Sequence, residues 1–240
     1  MADQRTDEWF KMRLGLVTGT GFANVLAQGK GSAESVTRRD YRIRLALERI
    51  TGRRIEDFFE TRDTKRGIAL EPFARMACES AREYMVDEVD FVRHPTLLCG
   101  VSPDGLVDED GGLEIKCPKP AIHLEYLDLV DDTPAIYKAQ VQGGLMVTGR
   151  KWWDFASYCE EMPPELRLHI VRVKRDEVYI AHLERETVKF LAEVDDLVAQ
   201  IRRRINSKRV CAEAVEHIAA VPAQVTAAKL SSPLAALLSA

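Results

Sequence analysis

The sequence predicts an α/β protein with a central mixed β-sheet flanked by helices. Three observations carry that reading. Helical patterning fills the first third of the chain, and a run of short, punctuated strand signals follows. A helix, two strands and a long helix then close the order. Of 240 residues, 46% are hydrophobic and 30% charged, enough apolar material for one sizeable core.

Thr6-Asp7-Glu8 ahead of Trp9, Phe10 and Met12 reads as a capped first helix. A Gly-rich turn, Gly15 to Gly21, leads into a short helix beginning near Thr20. Thr37 caps a long helix through Ile50, with Tyr41, Ile43, Leu45 and Leu47 among its apolar positions, and Gly52 ends it. Arg53–Arg66 mixes many charges with Phe58 and Phe59 and reads as an exposed connection. A second long helix runs from about Lys65 to Met85, interrupted at the Glu71-Pro72 step.

Four short strands follow at Val89–Val92, Leu97–Val101, Gly105–Val107 and Gly112–Lys116, separated by Pro, Gly and Asp. Thr133-Pro134 opens a helix to about Val147. Trp152–Tyr158 and Leu168–Val173 are two more strands, with Trp152 and Trp153 on a core strand and its edge. Leu183–Ile205 is a long amphipathic helix with Leu191, Val194, Leu197, Val198 and Ile201 on one side. Residues 1–209 form a single domain. Residues 210–240 are a C-terminal extension, with 222–240 a flexible or partner-docking tail.

Several classes are excluded. No run of about 18 apolar residues provides a membrane-spanning helix. The N-terminus, MADQRTDEWF, has neither the basic nor the apolar region of a secretory signal. Cys78, Cys99, Cys117, Cys159 and Cys211 are scattered, with no CxxC pair, and read as reduced thiols in a reducing cytosol. His94, His123, His169, His182 and His217 have no metal-ligand spacing.

The net charge of -4 argues weakly against a nucleic-acid partner, but its distribution matters more. Residues 1–66 hold 14 Lys/Arg against 10 Asp/Glu, residues 67–136 hold 5 against 15, and residues 137–240 hold 15 against 13. The acidic excess is central, where it repels phosphate unless divalent cations neutralise it. A solvated acidic face is the plainer alternative.

The chemistry concentrates in Ser102-Pro103-Asp104-Gly105-Leu106 and Gly112-Leu113-Glu114-Ile115-Lys116-Cys117-Pro118. Alternation along a strand puts Glu114 and Lys116 on one face and Ile115 on the other. A hairpin turn at Asp108–Gly112 returns the chain and brings Asp104 close to Glu114. Two neighbouring carboxylates repel unless a cation lies between them. An all-oxygen donor set is hard and suits Mg²⁺ or Mn²⁺, with the main-chain carbonyl of Ile115 as a further ligand. Lys116 then orients the water, assists its deprotonation or neutralises transition-state charge. Glu-x-Lys on one strand is equally compatible with a cross-strand ion pair.

Asp-x(9)-Glu-x-Lys is similar to the signature of the restriction-endonuclease-like nucleases. Gly67-Ile68-Ala69-Leu70-Glu71-Pro72, SPDGL, LEIKCP and Tyr137-Lys138-Ala139-Gln140-Val141-Gln142 occur in that order. Together, over roughly Trp9 to Ile205, they resemble the lambda exonuclease family (YqaJ-type viral recombinases). The resemblance implies a restriction-endonuclease-like core in residues 1–209. It implies a metal-dependent deoxyribonuclease that degrades the 5′-ended strand of linear double-stranded DNA to mononucleotides. A 3′ overhang is left for single-strand annealing recombination.

By the same resemblance, Asp104, Glu114 and the Ile115 carbonyl hold metal and Lys116 is the catalytic lysine. Glu71 is the helical acid of a second metal, Gln140 lies near the nucleophile, and Tyr137 supports it. Arg13 and Thr20, in Arg13-Leu-Gly-Leu-Val-Thr18-Gly-Thr20, occupy the places that bind a 5′-phosphate, with Thr for the more usual Ser. A helix N-terminus and an arginine fork suit that anion independently. Thr20 also suits a simple N-cap. The cofactor implied is Mg²⁺, two ions per site, with Mn²⁺ as a substitute. The implied setting is the cytoplasm of a bacterial host, with phage or prophage origin, a ring-shaped homotrimer on DNA ends and an annealing-protein partner.

The alternatives are a structure- or site-specific endonuclease on the same fold, or a catalytically silent DNA-binding module. Arg53, Arg54, Arg62, Lys65 and Arg66 are candidates for a duplex channel or a solvated loop. Phe58 or Phe59 is a base wedge or core packing. Arg202-Arg203-Arg204 is a phosphate contact or a solvated helix face.

Overall fold

The computed structural model describes residues 6–31, 33–55, 61–129 and 133–219, by the backbone alone at 210, 211 and 213–219. The expectations for Phe58, Phe59 and the 222–240 tail lie outside these residues. Helix α1 (Asp7–Arg13) is capped as its sequence predicts, with Thr6 Oγ1 accepting from the Trp9 amide at 3.3 Å. Strand β1 (Val17–Thr18) and helix α2 (Gly21–Leu26) follow. Helix α3 (Val36–Thr51) starts after Ser35 rather than at Thr37, and Gly52 closes it in the left-handed region at φ 64°.

Helix α4 (Arg62–Arg82) runs without interruption through Pro72. The proline forfeits one helical hydrogen bond, but its ring lies on the exposed side while Leu70, Ala74 and Cys78 are buried. Burial of that stripe outweighs the missing bond. Residues from Arg62 to Arg66 are thus helical, not connecting chain.

The strands are β2 (Val86–Asp87), β3 (Val92–Arg93), β4 (Cys99–Val101), β5 (Gly105–Val107) and β6 (Gly111–Lys116). Helices α5 (Pro120–Leu127) and α6 (Ala135–Thr148) precede β7 (Trp152–Tyr158). A 3-10 turn (Pro164–Leu166), β8 (Leu168–Lys174) and α7 (Glu177–Ala219) complete the order. Among the described residues no helix is long and apolar enough to cross a membrane. The chain divides into two compact units, Met1–Leu197 and Val198–Ala240, and the site described below lies in the first.

The strands make two sheets rather than one. The larger has order β2-β5-β6-β7-β8 and is mixed, because only β6 and β7 pair in parallel. The smaller, β1-β4-β3, carries the N-terminal segment. On one face of the larger sheet Leu113, Ile115 and Ala156 pack on Ala74 and Cys78 of α4. On the other face Trp153 and Phe155, each 1% exposed, are covered by α5 and α6. Truncating either ring to Ala costs about 3–5 kcal/mol.

Two close approaches fix this arrangement. The Trp153 ring lies where side chains at Gly112 and Gly144 would stand, and the Phe22 ring occupies the same kind of space over Gly143. The second contact seats α2 on α6. Arg150 staples the β5–β6 turn by donating to the carbonyls of Val107, Asp108 and Gly111 at 3.0, 2.8 and 2.7 Å.

Candidate active site

The β5–β6 hairpin registers Gly105 opposite Leu113, which sets Asp104 beside the next pair of residues on β6. The Asp104 amide donates to the Leu113 carbonyl at 3.1 Å, and Asp104 Oδ2 accepts from the Ile115 amide at 2.6 Å. Ile115 turns its side chain into the α4-facing core, whereas Glu114 and Lys116 share the opposite face, as strand alternation requires. Lys116 Nζ donates to Glu114 Oε1. Gln140 Nε2, from α6, donates to the same oxygen at 2.5 Å. The Lys116 ammonium stands 5.0 Å from the centre of the Tyr137 ring.

Glu114 is 4% exposed. Its carboxyl is pushed up to about 7: burial is the largest cause, Lys116 opposes it, and Asp104 and Glu71 add to it. Burial works against the Lys116 ammonium, yet Glu114 and Asp104 outweigh it and the net shift is upward. Burial and neighbouring acids oppose the anionic form of Glu114 while Lys116 favours it, so a further cation beside Asp104 and Glu114 would stabilise that anion.

Glu71 stands on α4, outside the residues that line the cavity. Its Oε1 accepts from Arg75 Nη2 at 3.0 Å, and Arg75 Nε donates to the Asp104 carbonyl at 3.3 Å. Arg75 therefore links the helical acid to the hairpin. Arg66 grips the end of β6 by donating to the Cys117 and Pro118 carbonyls at 2.9 and 3.1 Å and to Glu161 at 2.5 Å. It is a clamp on the end of β6 rather than a solvated loop residue. Arg53 and Arg54 are exposed, with Arg54 stacked 4.1 Å above the Phe10 ring. Arg202, Arg203 and Arg204 are exposed on α7.

The N-terminal segment meets this site from the other side. Arg13 is half-buried, its guanidinium 3.9 Å from the Trp9 ring centre and 5.6 Å from that of Phe91. Its Nη1 donates to Ser102 Oγ at 2.8 Å, and the Trp9 indole donates to the same oxygen at 3.1 Å. Burial lowers Arg13 to about 10. No carboxylate among the described residues pairs with it. Thr20 precedes α2 with its hydroxyl making no capping bond, so a simple N-cap does not describe it. Helix α3 steadies the intervening loop: the Tyr41 hydroxyl accepts from the Thr18 amide at 3.2 Å, Glu48 accepts from Gly15 at 2.8 Å, and Arg49 donates to Gly15 at 2.8 Å.

One cavity of about 170 Å³ is lined by Arg13, Thr20, Asp104, Glu114, Lys116 and Gln140 together. Among the described residues, no three His, Cys, Asp or Glu side chains form a ready-made metal cage. Two carboxylates with a main-chain oxygen are nevertheless what Mg²⁺ takes when water and substrate phosphate complete its octahedron. The donor chemistry and the surroundings of Glu114 fit such an ion.

Ser102 and Arg75 were not assigned roles from the sequence. Ser102 stands two residues before Asp104, and Arg75 one helical turn after Glu71, which is the signal each offered. His123, on the unforeseen α5, is fully buried against Ser157 Oγ at 2.7 Å and the Leu166 carbonyl at 2.8 Å, a core histidine. Cys78, Cys99, Cys117 and Cys159 are unpaired thiols.

A mixed sheet with an Asp-bearing hairpin, Glu-x-Lys on its central strand and flanking helices defines a restriction-endonuclease-like fold, and the solved structures that resemble it share that fold. Residues 8–151 match the YqaJ-like viral recombinase domain, and the chain belongs to that family. The crystal structure of an alkaline exonuclease (LHK-Exo) from Laribacter hongkongensis is 34% identical, covers 84% of this chain and 99% of its own, and superposes with a TM-score of 0.77. The structure of LHK-Exo in complex with dAMP matches equally well. A phage related exonuclease from Haemophilus somnus 129PT shares the fold at 14% identity, covering 78% of this chain and 96% of its own, with a TM-score of 0.61. ExoD of Escherichia coli (strain K12), an uncharacterized protein, is 37% identical over 65 residues, 27% of this chain and 74% of that one.

Proposed function

We propose that this chain is a Mg²⁺-dependent 5′→3′ exonuclease of phage type. It degrades the 5′-ended strand of linear double-stranded DNA to mononucleotides and leaves a 3′ overhang. One observation carries the reading: a half-buried arginine with no carboxylate partner among the described residues opens into the same cavity as Asp104, Glu114, Lys116 and Gln140. A desolvated guanidinium of this kind favours an anion, and a terminal phosphate held there puts the adjoining linkage beside the acids. Family membership and the resemblance to an alkaline exonuclease whose structure is known with dAMP support the reading.

Asp104, Glu114 and the Ile115 carbonyl would hold Mg²⁺, with Glu71 serving a second ion. The chemistry such an ion would supply there is activation of water and neutralisation of charge on the phosphodiester. Lys116 holds its ammonium on the carboxylate face, where it orients the attacking water or meets developing negative charge. Gln140 fixes the Glu114 oxygen. Tyr137 supports the lysine. Arg13 and Thr20 hold the 5′-phosphate, so the cut falls one nucleotide in. A homotrimeric ring on the DNA, a single-strand annealing protein that takes the overhang and action in a bacterial host cytoplasm complete the proposal.

The test is digestion of linear duplexes labelled at either end, with and without 5′-phosphate, in Mg²⁺ or in EDTA. Release of mononucleotides from phosphorylated 5′ ends, only in Mg²⁺, is expected. Cleavage of a covalently closed circle would establish an endonuclease instead. Binding without cleavage in Mg²⁺ or Mn²⁺ would establish a silent module.

A further inference from the structure

We propose that Arg75 is a positioning residue that locks the helical acid Glu71 in register with the Asp104 hairpin, so that the two act on one metal cluster. The inference rests on the nuclease reading above. Glu71 and Asp104 lie on different elements, α4 and the start of β5, and nothing in the backbone pairing ties those elements at this point. Arg75 supplies the tie. Its side chain is 13% exposed, and its guanidinium divides among three acceptors: Nη2 to Glu71 Oε1 at 3.0 Å, Nε to the Asp104 carbonyl at 3.3 Å, and Nη1 to Glu88 Oε1 at 2.8 Å.

The geometry assigns each arm a task. Residues four apart on a helix stand one above the other, so Arg75 reaches back along α4 to Glu71 without strain. A planar fork with donors in fixed directions serves two acceptors on separate elements at once, which a lysine ammonium on a flexible stem does not. Arg75 bonds the Asp104 main-chain carbonyl, while the Asp104 carboxylate accepts from the Ile115 amide. Glu88, 67% exposed in its side chain, balances the charge from the solvent side. Removing such an outer partner of a metal ligand typically costs about 10–100-fold in metal affinity or activity.

The substitution that isolates the geometry is Arg75→Lys, because it keeps the charge and removes the fork. Mn²⁺ binding to the DNA-free protein, followed by calorimetry, is expected to weaken by about tenfold. Turnover on linear duplex should fall by a similar factor, while binding of duplex ends in EDTA stays within about twofold of wild type. The decisive readout is the pair: in an E71Q background R75K should add almost nothing, because the residue acts through Glu71. Arg75→Gln serves as a second variant and should show the same non-additivity.

Losses that add in full to E71Q would overturn the proposal, as would Mn²⁺ affinity unchanged in a folded R75K protein. Failure of both variants to fold would also overturn it, since Arg75 would then be a fold staple. Failure of the wild type itself to cleave would instead remove the nuclease reading on which the proposal stands.

Discussion

Asp104 Oδ2 accepts the Ile115 amide at 2.6 Å, so the first acid of the site is anchored by the main chain of the residue between the other two functional side chains. That bond holds the hairpin together, and in the proposed reaction the same carboxylate would also hold metal. A substitution that keeps the acceptor and removes the charge separates the two demands.

Asp104→Asn keeps an oxygen that can accept the Ile115 amide and loses the charge. Nuclease activity should fall at least about 100-fold while the melting temperature moves by no more than a few degrees. Parallel activity and thermal melting measurements check this. A large loss of stability with residual activity would place Asp104 among the purely structural groups.

Lys116→Ala should abolish hydrolysis and leave binding of duplex ends largely intact, as read by fluorescence anisotropy in EDTA. The buried Glu114 then loses its ion-pair partner, so its proton should be held still more tightly. Near-normal cleavage by this variant would remove Lys116 from the catalytic assignment.

Burial holds the Glu114 carboxyl up to about 7, above its ordinary value of 4.5. The folded metal-free protein thus binds this proton more tightly than the unfolded chain does. The resulting stabilisation is full below the ordinary value and is lost as pH rises towards about 7. Glu114→Gln abolishes the titration, so in EDTA it should gain stability relative to wild type between about pH 5 and about pH 8. Thermal melts across that range decide it, and a constant difference between the two proteins would contradict the assignment.

Arg13 should recognise an anion, not merely pack. Inorganic phosphate should raise the melting temperature of wild type more than that of Arg13→Ala. The same substitution should erase any preference for phosphorylated over hydroxyl 5′ ends in digestion assays. Equal preference in the two proteins would mean that the pocket is wrongly placed.

The α2–α6 contact yields a packing test. Gly143→Ala puts a methyl group into the buried Phe22 ring and should destabilise by about 1–3 kcal/mol, beyond the gain in helix propensity. Gly67→Ala on α4 meets open space and should stabilise by up to about 1 kcal/mol. Urea unfolding of both variants checks the pair.

Much of this was legible in the sequence because the signals were local. Trp152–Tyr158 is a strand as read, Asp104, Glu114 and Lys116 come together as their spacing implies, and Gln140, singled out by the family resemblance, lines the same cavity. What was hidden depended on tertiary context. Helix α5 is short, opens at Pro120 after Pro118-Lys119, and owes its place to the buried contacts of His123 and Tyr126. Pro72 reads as a break because its exposed position and the packing of Ala74 and Cys78 are invisible in one dimension. The boundary of α7 failed similarly: helix continues to Ala219, past the point where its apolar stripe fades. Arg75 carries no motif of its own, and the SPDGL motif gives Ser102 no role, since each matters through a partner distant in the chain or on another element.

Ser102, which receives both Trp9 and Arg13, is joined to Asp104 by a single proline. Proline leaves its backbone little rotational latitude. In the proposed reaction the hand that grips the DNA terminus leans by a hydrogen bond on the same short, stiff tripeptide that carries the blade. Stride length becomes a matter of that spacing, and lengthening the tripeptide by one residue should blur it.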